Sequence, residues 1–516
     1  MNRGEMIHQL AKTNWDLIVI GGGATGLGAA VDAAARGYKT LLLEQHDFAK
    51  GTSSRSTKLI HGGLRYLQQG NIGLVTEALH ERGLLRNNAP HLVHHLPFLV
   101  PLYHWWEGAF YTMGLKVYDL LAGDLGLKPS RHLSRRQTLQ AVPTIERKGL
   151  RGGALYFDGQ FDDARLAITL AQTAADLGAT VINYMPVTSL VKKKGMIVGV
   201  RATDLETGTH YQLKSRAVIN ATGIFADHLR KIDDPKAKPL LEPSQGIHLV
   251  LPASFLPTET AILVPHTDDK RVIFLVPWHG RVLVGTTDIP VSHPSLEPHA
   301  LKDEIDFLLK HAARYLVKAP TKADILSIYA GQRPLVRAAD KSTAALSRDH
   351  SITVSKSGLI TIAGGKWTTY RKMSQDVIDK AAAVGHLPSR ASITQELRLH
   401  GYIKKADPQN HWSLYGSDAA SIKRLLRANK KLREKISPHF PYFLGEVIWA
   451  AREEMARTVE DVLARRTRIL FLDAKAAIKA APIVAQLLAG ELKKTSAWEK
   501  KQVRDFLKIA GNYLPH

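Results

Sequence analysis

The sequence predicts an α/β fold built on a parallel-sheet dinucleotide-binding unit, accompanied by a mixed-sheet region and a C-terminal helical domain. Three observations carry that reading. A short apolar strand runs directly into a glycine-rich turn and a helix within the first 44 residues. Two later apolar strands, ending at Gly223 and Gly364, stop in similar small-residue turns. Beyond about residue 395 the pattern becomes helical and basic.

At 516 residues the chain exceeds one ordinary core, so two or three domains are expected. An apolar share of 45% and a charged share of 23% place it among globular proteins rather than disordered ones. The absence of cysteine excludes disulfides, thiolate metal sites and thiol nucleophiles. Lysine and arginine number 70 against 47 acids, a formal +23, which suits an anionic partner such as nucleic acid, a phosphorylated molecule or an anionic bilayer surface. No recognisable RNA- or DNA-binding motif is present, so nucleic acid is not expected. No stretch approaches the roughly 20 apolar residues that span a bilayer. Residues 15–20 already read as a first strand, so no signal peptide is expected and membrane contact is expected to be peripheral.

The N-terminal elements follow in a fixed order. Residues 16–20 form the strand, Gly21-Gly22-Gly23-Ala24-Thr25-Gly26-Leu27-Gly28 the turn, residues 29–36 the helix, and residues 39–43 a second strand ending at Glu44. Gly21 permits the tight turn, and Gly23 lets the backbone approach a pyrophosphate. Ala24 and Thr25 open the helix whose N-terminus faces the phosphates, and Gly26 lets that helix pack on the strand. Glu44 is expected to accept hydrogen bonds from ribose hydroxyls, and its charge argues against a 2′-phosphate.

Two returning segments select FAD over NAD. Residues 216–223 read as a buried strand ending in Ala221, Thr222 and Gly223. Residues 359–366 read as another, running into Gly364, Gly365 and Lys366 before a helix over 368–383. In flavoproteins with two dinucleotide folds, the first such return closes the sheet near the adenosine. The second places a helix N-terminus beside the flavin pyrimidine, where it stabilises the reduced anionic ring. With no cysteine to form a cysteinyl link, the FAD is expected to be non-covalent. The polar loop over 51–66 offers Thr52, Ser53, Ser54, Lys58, His61, Gly62 and Gly63 to the FAD phosphates and ring edge, with Arg65 and Tyr66 projecting towards substrate. Further along, residues 272–276 and 281–286 read as strands around a Trp-His-Gly turn. Ile305, Leu308, Leu309, Ala312 and Leu316 have helical spacing.

Taken with Tyr156-Phe157-Asp158-Gly159-Gln160, Asp162-Asp163-Ala164-Arg165, Gly246-Ile247-His248, Val276-Pro277-Trp278, Gly285-Thr286-Thr287-Asp288, Arg333-Pro334-Leu335 and the basic segment over 452–468, the chain resembles the FAD-dependent glycerol-3-phosphate dehydrogenases. The resemblance covers nearly the whole chain. It implies a fold like that of D-amino acid oxidase and glycine oxidase. The FAD domain would comprise 1–90, 150–240 and 340–390, the substrate domain 91–149 and 241–339, and the helical cap 395–516. The implied reaction is oxidation of sn-glycerol 3-phosphate to dihydroxyacetone phosphate by hydride transfer from C2 to flavin N5. Electrons would pass to a membrane quinone, from a cytoplasmic protein bound peripherally to the inner membrane.

By resemblance Arg65, Tyr66, His248, Arg333, Lys366 and Thr369 line the substrate site. His248 is the best base by residue type. Arg333, stiffened by Pro334, and Lys366 would hold the phosphate or stabilise a developing alkoxide. Two positions depart from the family pattern: Gln245, where some members carry lysine, and Gln332, where a small apolar residue is commoner. The apolar stretch over 96–123, with Trp105, Trp106, Tyr111 and Tyr118, reads either as a bilayer-facing, quinone-access surface or as a roof over the substrate domain. The rivals are a glycerol-3-phosphate oxidase that reduces oxygen to peroxide and an amine or amino acid oxidase on the same fold. The C-terminal domain reads as a site either of self-association into a homo-oligomer or of membrane docking.

Overall fold

The computed structural model describes residues 1–63, 71–269, 271–337 and 350–515, and two sheets organise them. In the first, Trp15–Ile20 lies at the centre, parallel to Thr40–Leu43 on one side and to His210–Asn220 on the other. Thr180–Ile182 and Leu359–Gly364 extend it in parallel, and His350–Val354 closes one edge antiparallel. The near-continuous burial of Trp15–Ile20 and Thr40–Leu43 is that of strands covered on both faces. Helices Ala24–Ala35, Asp163–Asp176 and Tyr370–Val384 cover one face. Ala24–Ala35 is buried from Gly26 to Ala34, which its run of alanines and glycines permits. A Cβ on Gly28 would sit 2.3 Å from Ser374 Oγ in the neighbouring helix.

The second, mixed sheet has ten strands among the described residues. Ser244–Pro252 runs between Arg281–Gly285 and Ser327–Arg333, antiparallel to both, so His248 lies opposite Gly285 on one side and Tyr329 on the other. The expected hairpin is present: Ile273–Trp278 and Arg281–Gly285 are joined at His279 and Gly280, both at positive φ as a tight antiparallel turn of the right twist requires. Gly152–Gln160 pairs along its length with His94–Leu102 in this sheet, and Leu59–Ile60 pairs with its end. Residues expected in the nucleotide-binding part from 150 to 160 therefore belong to the mixed sheet. Gly152–Gln160 is buried on both sides, so its sequence carries no alternation to show which sheet it joins.

The aromatic segment divides in two. His94–Leu102 is a strand, buried from Phe98 onward, and offers no surface to a bilayer. Glu107–Ala122 is a helix that buries Tyr111, Leu115, Tyr118 and Ala122 against the protein. Trp106, Phe110, Met113, Val117 and Leu120 remain exposed, as does Trp105 just before the helix. At 3.6 residues per turn, the five from Trp106 to Leu120 fall within about 80° of one another, opposite the buried row. The helix is thus apolar on two sides. Trp105 and Trp106 lie on the exposed side, whereas Tyr111 and Tyr118 are core residues. Among the described residues no helix is long and apolar enough to cross a membrane.

The C-terminal region is helical, with Ala419–Ala428, Leu444–Glu453, Ala474–Glu491 and Ser496–Gly511. A π-helical turn, Asp461–Arg466, is held to the nucleotide-binding part by buried ion pairs. Arg466 donates to both oxygens of Asp47 at 2.7 and 2.9 Å, and Arg465 bridges Asp47, Glu460 and Asp461. Arg165 pairs with Glu454.

At a second contact His400 lies between Asp176 and Asp418, at 2.6 and 2.9 Å. Burial opposes its charge, but the two carboxylates prevail and raise its pKa to about 9. Because the folded-state value is raised, the stabilisation is complete below the ordinary imidazole pKa and is lost as pH rises through about 9. His400→Gln is expected to lower stability by about 2 kcal/mol near pH 7. Thermal melts across pH should show that difference closing above the raised value.

Candidate functional site

A cavity of about 1100 Å³ runs between the two sheets and is lined by residues of both. That volume suits a large cofactor with room beside it for a small substrate. At one end stands the glycine turn. Gly21 has φ +112°, and a Cβ there would sit 2.5 Å from the Ala221 carbonyl oxygen. A Cβ on Gly26 would sit 1.9 Å from the Gly21 carbonyl oxygen, so this glycine lets helix and strand meet without itself reaching the cavity. Gly23, Ala24 and Thr25 line the cavity at the helix N-terminus, where Ala24 N–H donates to Ser53 Oγ at 2.9 Å. Glu44 lines it too. Its oxygens accept the Gly22 and His46 amides at 2.6 and 2.8 Å, which braces the turn, and each keeps a second lone pair for a ribose hydroxyl. Burial raises the Glu44 carboxyl above its ordinary value, against the lowering effect of those amides.

Ala221, Thr222 and Gly223 form part of the same wall, as do Gly364, Gly365 and Lys366. Lys366 is the N-cap of the turn Trp367–Thr369, which leads into Tyr370–Val384, so a second helical N-terminus adjoins the cavity. Trp367 Nε1 donates to the Ser53 carbonyl at 2.9 Å and joins this turn to the polar loop. Thr52, Ser53, His61 and Gly63 of that loop line the cavity. The paired glycine turns, two helix N-termini and acidic strand end fit FAD. The phosphates would lie at Gly23–Thr25 and the ring end at the Gly364–Lys366 turn.

Several expected contacts are redirected. Lys58 does not reach the cavity. It is fully buried, donating to Asp163 Oδ2 at 2.6 Å and to the Ser54 carbonyl at 2.7 Å, above the rings of Trp278, Tyr329 and Phe471. Burial pulls its ammonium well below the ordinary lysine pKa, with Asp163 opposing. Ser54 is likewise buried and braces Lys58 and Arg468 through its carbonyl. Gly62 lies behind the wall, its amide donating to Tyr118 Oη. Thr369 is buried with its hydroxyl on the Lys366 carbonyl, so it supports the turn and does not line the site. Arg65 and Tyr66 lie outside the described residues.

Towards the Gly364–Lys366 turn, His248 and Arg333 share the cavity with Lys366. His248 stacks on Tyr329 with ring centroids 4.7 Å apart, and its Nε2 lies 2.9 Å from Thr57 Oγ1. Burial first, then Lys58 and Arg333, holds the imidazole well below its ordinary pKa, so it is neutral at pH 7. Arg333 is more tightly tied than its motif suggested. It donates to Asp288 Oδ1 at 3.0 Å, and to Thr286 Oγ1 and the Thr287 carbonyl at 3.1 Å each. Its guanidinium is aimed before any anion arrives.

Thr57 and Tyr329 were not singled out from the sequence, and Asp288 was named within a motif but given no role. The available signal lay in two strand glycines. A Cβ on Gly285 would sit 2.3 Å from His248 Cδ2, and one on Gly246 would sit 2.5 Å from Arg333 Nη2. Each glycine leaves room for the functional side chain across from it. Asp158 accounts for its own motif: it accepts from Arg82 and Tyr118, and Tyr118 receives the Gly62 amide. The two unusual glutamines are structural. Gln245 donates to the His299 carbonyl and to Glu304, and Gln332 Oε1 accepts the Ser295 amide.

Comparison with known proteins agrees with this geometry. Residues 16–371 match the FAD dependent oxidoreductase family, and residues 357–502 match the C-terminal domain of alpha-glycerophosphate oxidase. The chain is 40% identical to the mitochondrial glycerol-3-phosphate dehydrogenase of Rattus norvegicus, over 97% of this chain and 73% of that protein. It is also 40% identical to the mitochondrial glycerol-3-phosphate dehydrogenase SDP6 of Arabidopsis thaliana, over 99% and 87%. Among solved structures, the glycerol-3-phosphate dehydrogenase of Bacillus halodurans complexed with FAD superposes with a TM-score of 0.82 at 29% identity, covering 99% of this chain and 97% of that one. Glycine oxidase from Geobacillus kaustophilus shares the fold at 18% identity and a TM-score of 0.54, covering 76% of this chain and 100% of that one. With its nucleotide cradle, its charged cavity wall and its helical C-terminal domain, this chain belongs to the FAD-dependent glycerol-3-phosphate dehydrogenase family.

Proposed function

We propose that the protein oxidises sn-glycerol 3-phosphate to dihydroxyacetone phosphate and passes the electrons to a quinone, while bound peripherally to the cytoplasmic face of the inner membrane. The observation that carries the reaction is the meeting of neutral His248, anchored Arg333 and Lys366 on one cavity continuous with the nucleotide cradle. Bound FAD supplies the hydride acceptor at N5 of its ring.

The chain supplies binding, orientation and proton transfer. Arg333 and Lys366 offer fixed positive charge to a phosphate dianion, and the Asp288 and Thr286 contacts hold the guanidinium in one orientation. His248 takes the proton of the C2 hydroxyl as the C2 hydrogen leaves with its electron pair. Its Nε2 lies 2.9 Å from the hydroxyl of Thr57, which also lines the cavity and holds the ring in one orientation. An imidazole that stays uncharged near neutrality is ready to accept that proton.

The membrane and acceptor readings rest on the outer face of Glu107–Ala122. Trp105, Met113 and Leu120 expose 82%, 69% and 79% of their surface, an apolar stripe that suits the interfacial layer of a bilayer. Trp106 and Phe110 belong both to this stripe and to the cavity lining, which gives a lipid-soluble acceptor a path inward.

Three outcomes are expected. His248→Asn slows anaerobic bleaching of the flavin by sn-glycerol 3-phosphate about 100-fold or more, measured by stopped flow, with little change in substrate affinity. Arg333→Lys raises KM for the phosphorylated substrate about 10-fold or more, because an ammonium cannot form the two-pronged contact. Trp105→Glu with Leu120→Glu moves the protein off anionic vesicles in flotation while leaving bleaching by substrate intact. The acceptor is read by comparing anaerobic quinone reduction with aerobic peroxide yield. Dominant peroxide formation would replace the quinone reading with an oxidase.

A further inference from the structure

Substrate oxidation does not use one polar pair on the apolar part of the cavity wall. His266 lines the cavity together with Phe98, Trp106, Phe110 and Phe274. Its Nε2 lies 2.7 Å from Glu107 Oε1. The other Glu107 oxygen accepts the Tyr103 and His104 amides at 2.7 and 2.9 Å, so the carboxylate is fixed at the helix N-terminus. Burial would raise the Glu107 carboxyl, but the His104 amide, His266 and the Tyr103 amide outweigh it and hold the group below its ordinary value. The two side chains differ sharply in exposure: Glu107 is 1% exposed and His266 50%. The imidazole therefore has a buried anion on one nitrogen, water along its open edge and the cavity beside it. Titratable or charged neighbours among the described residues include His104, edge-on at 6.4 Å, Tyr315, which packs at the His266 backbone, Tyr103 and Tyr111, both near Glu107, and Arg271 on the same wall.

A quinol carries two electrons and two protons more than its quinone. One hydrogen travels with the electron pair from the reduced cofactor, and the second must arrive as a proton from a protein group or water. On the quinone reading above, we infer that His266, polarised by Glu107, delivers this second proton to the quinone oxygen and is reprotonated from solvent. The proton that His248 takes from the substrate hydroxyl leaves to solvent, so the overall reaction neither consumes nor releases protons. Trp106 and Phe110 place the pair where the cavity adjoins the exposed apolar stripe, on the route of a headgroup entering from the bilayer. An imidazole can hand on a proton through one ring nitrogen while a buried carboxylate holds the other and keeps the ring in place.

The test separates the half-reactions in His266→Gln holoenzyme. Anaerobic stopped flow follows flavin reduction by sn-glycerol 3-phosphate, then reoxidation by a short-chain ubiquinone analogue or by ferricyanide, which takes electrons without protons. Equilibrium binding of the analogue is measured without substrate. The inference expects quinone reoxidation to fall about 100-fold, to lose its pH dependence and to recover with added imidazole. Ferricyanide reoxidation and analogue binding should hold within about twofold. An unchanged quinone rate, an equal loss with ferricyanide, or a loss that imidazole does not rescue overturns the proton-donor role. Failure of the unsubstituted protein to reduce the analogue, with peroxide formed in air, overturns the quinone reading and this inference with it.

Discussion

The working arrangement of this protein depends on the carboxylate of Asp163, buried without solvent contact. One of its oxygens accepts the Ser56 amide, the Ser56 hydroxyl and the Lys58 ammonium, and the other accepts Arg468 and the Ala164 amide. It opens the helix Asp163–Asp176, whose N-terminal end adds a favourable field for a negative charge. The cluster joins the helix Asp163–Asp176, the polar loop, the mixed sheet through Tyr329, and the helical C-terminal region through Arg468. Taking away the anion would strand two cations in the interior, a change that typically costs about 3–5 kcal/mol for a buried pair. Thr57 lies between the two loop residues that Asp163 holds. The orientation of His248 is therefore set by a charge that never meets substrate.

Arg333 follows the same logic on a smaller scale. A lone guanidinium in a partly closed cavity would be strongly solvated and free to rotate. Asp288, Thr286 and the Thr287 carbonyl fix it, at the expense of some net charge. Pairing with Asp288 trades raw attraction for orientation, and Lys366 on the same cavity supplies further positive charge. Lys366 and Thr369 illustrate how adjacent motif positions separate in space: the first lines the site, and the second secures the turn from behind.

The nucleotide cradle was legible because its signals are local. Tight turns, close backbone approaches and helix starts leave glycines and small residues at fixed spacing, and Gly21, Gly23, Gly26, Ala221 and Gly364 lie where that spacing put them. Lys58 was misread because a lysine in a polar loop looks available for phosphate, and its partner Asp163 is more than a hundred residues away in sequence. Thr57 and Asp288 were given no role for the same reason, since a hydroxyl or carboxylate becomes functional only once strands bring it to its partner. The inclusion of residues 150–160 in the FAD domain, where the strand pairs within the mixed sheet, has a related origin. A strand covered on both faces carries no period from which to choose its neighbours. The aromatic segment left two readings open because residue type cannot tell the two apolar sides of one helix apart: Tyr111 and Tyr118 are buried, and Trp105 and Trp106 are exposed.

The reach of Arg465, Arg466 and Arg468 back to Asp47, Ser54 and Asp163 has a consequence for biogenesis. A ribosome releases the glycine turn, the polar loop and their helix long before it releases the arginines that neutralise them. Until then Asp47 lacks its two guanidinium partners, and Asp163 has only Lys58, Ser56 and its own helix amide to hold it. A chain truncated before Arg465 would keep its dinucleotide fingerprint but lack the guanidinium partners of Asp47 and the Arg468 contacts to Ser54 and Asp163.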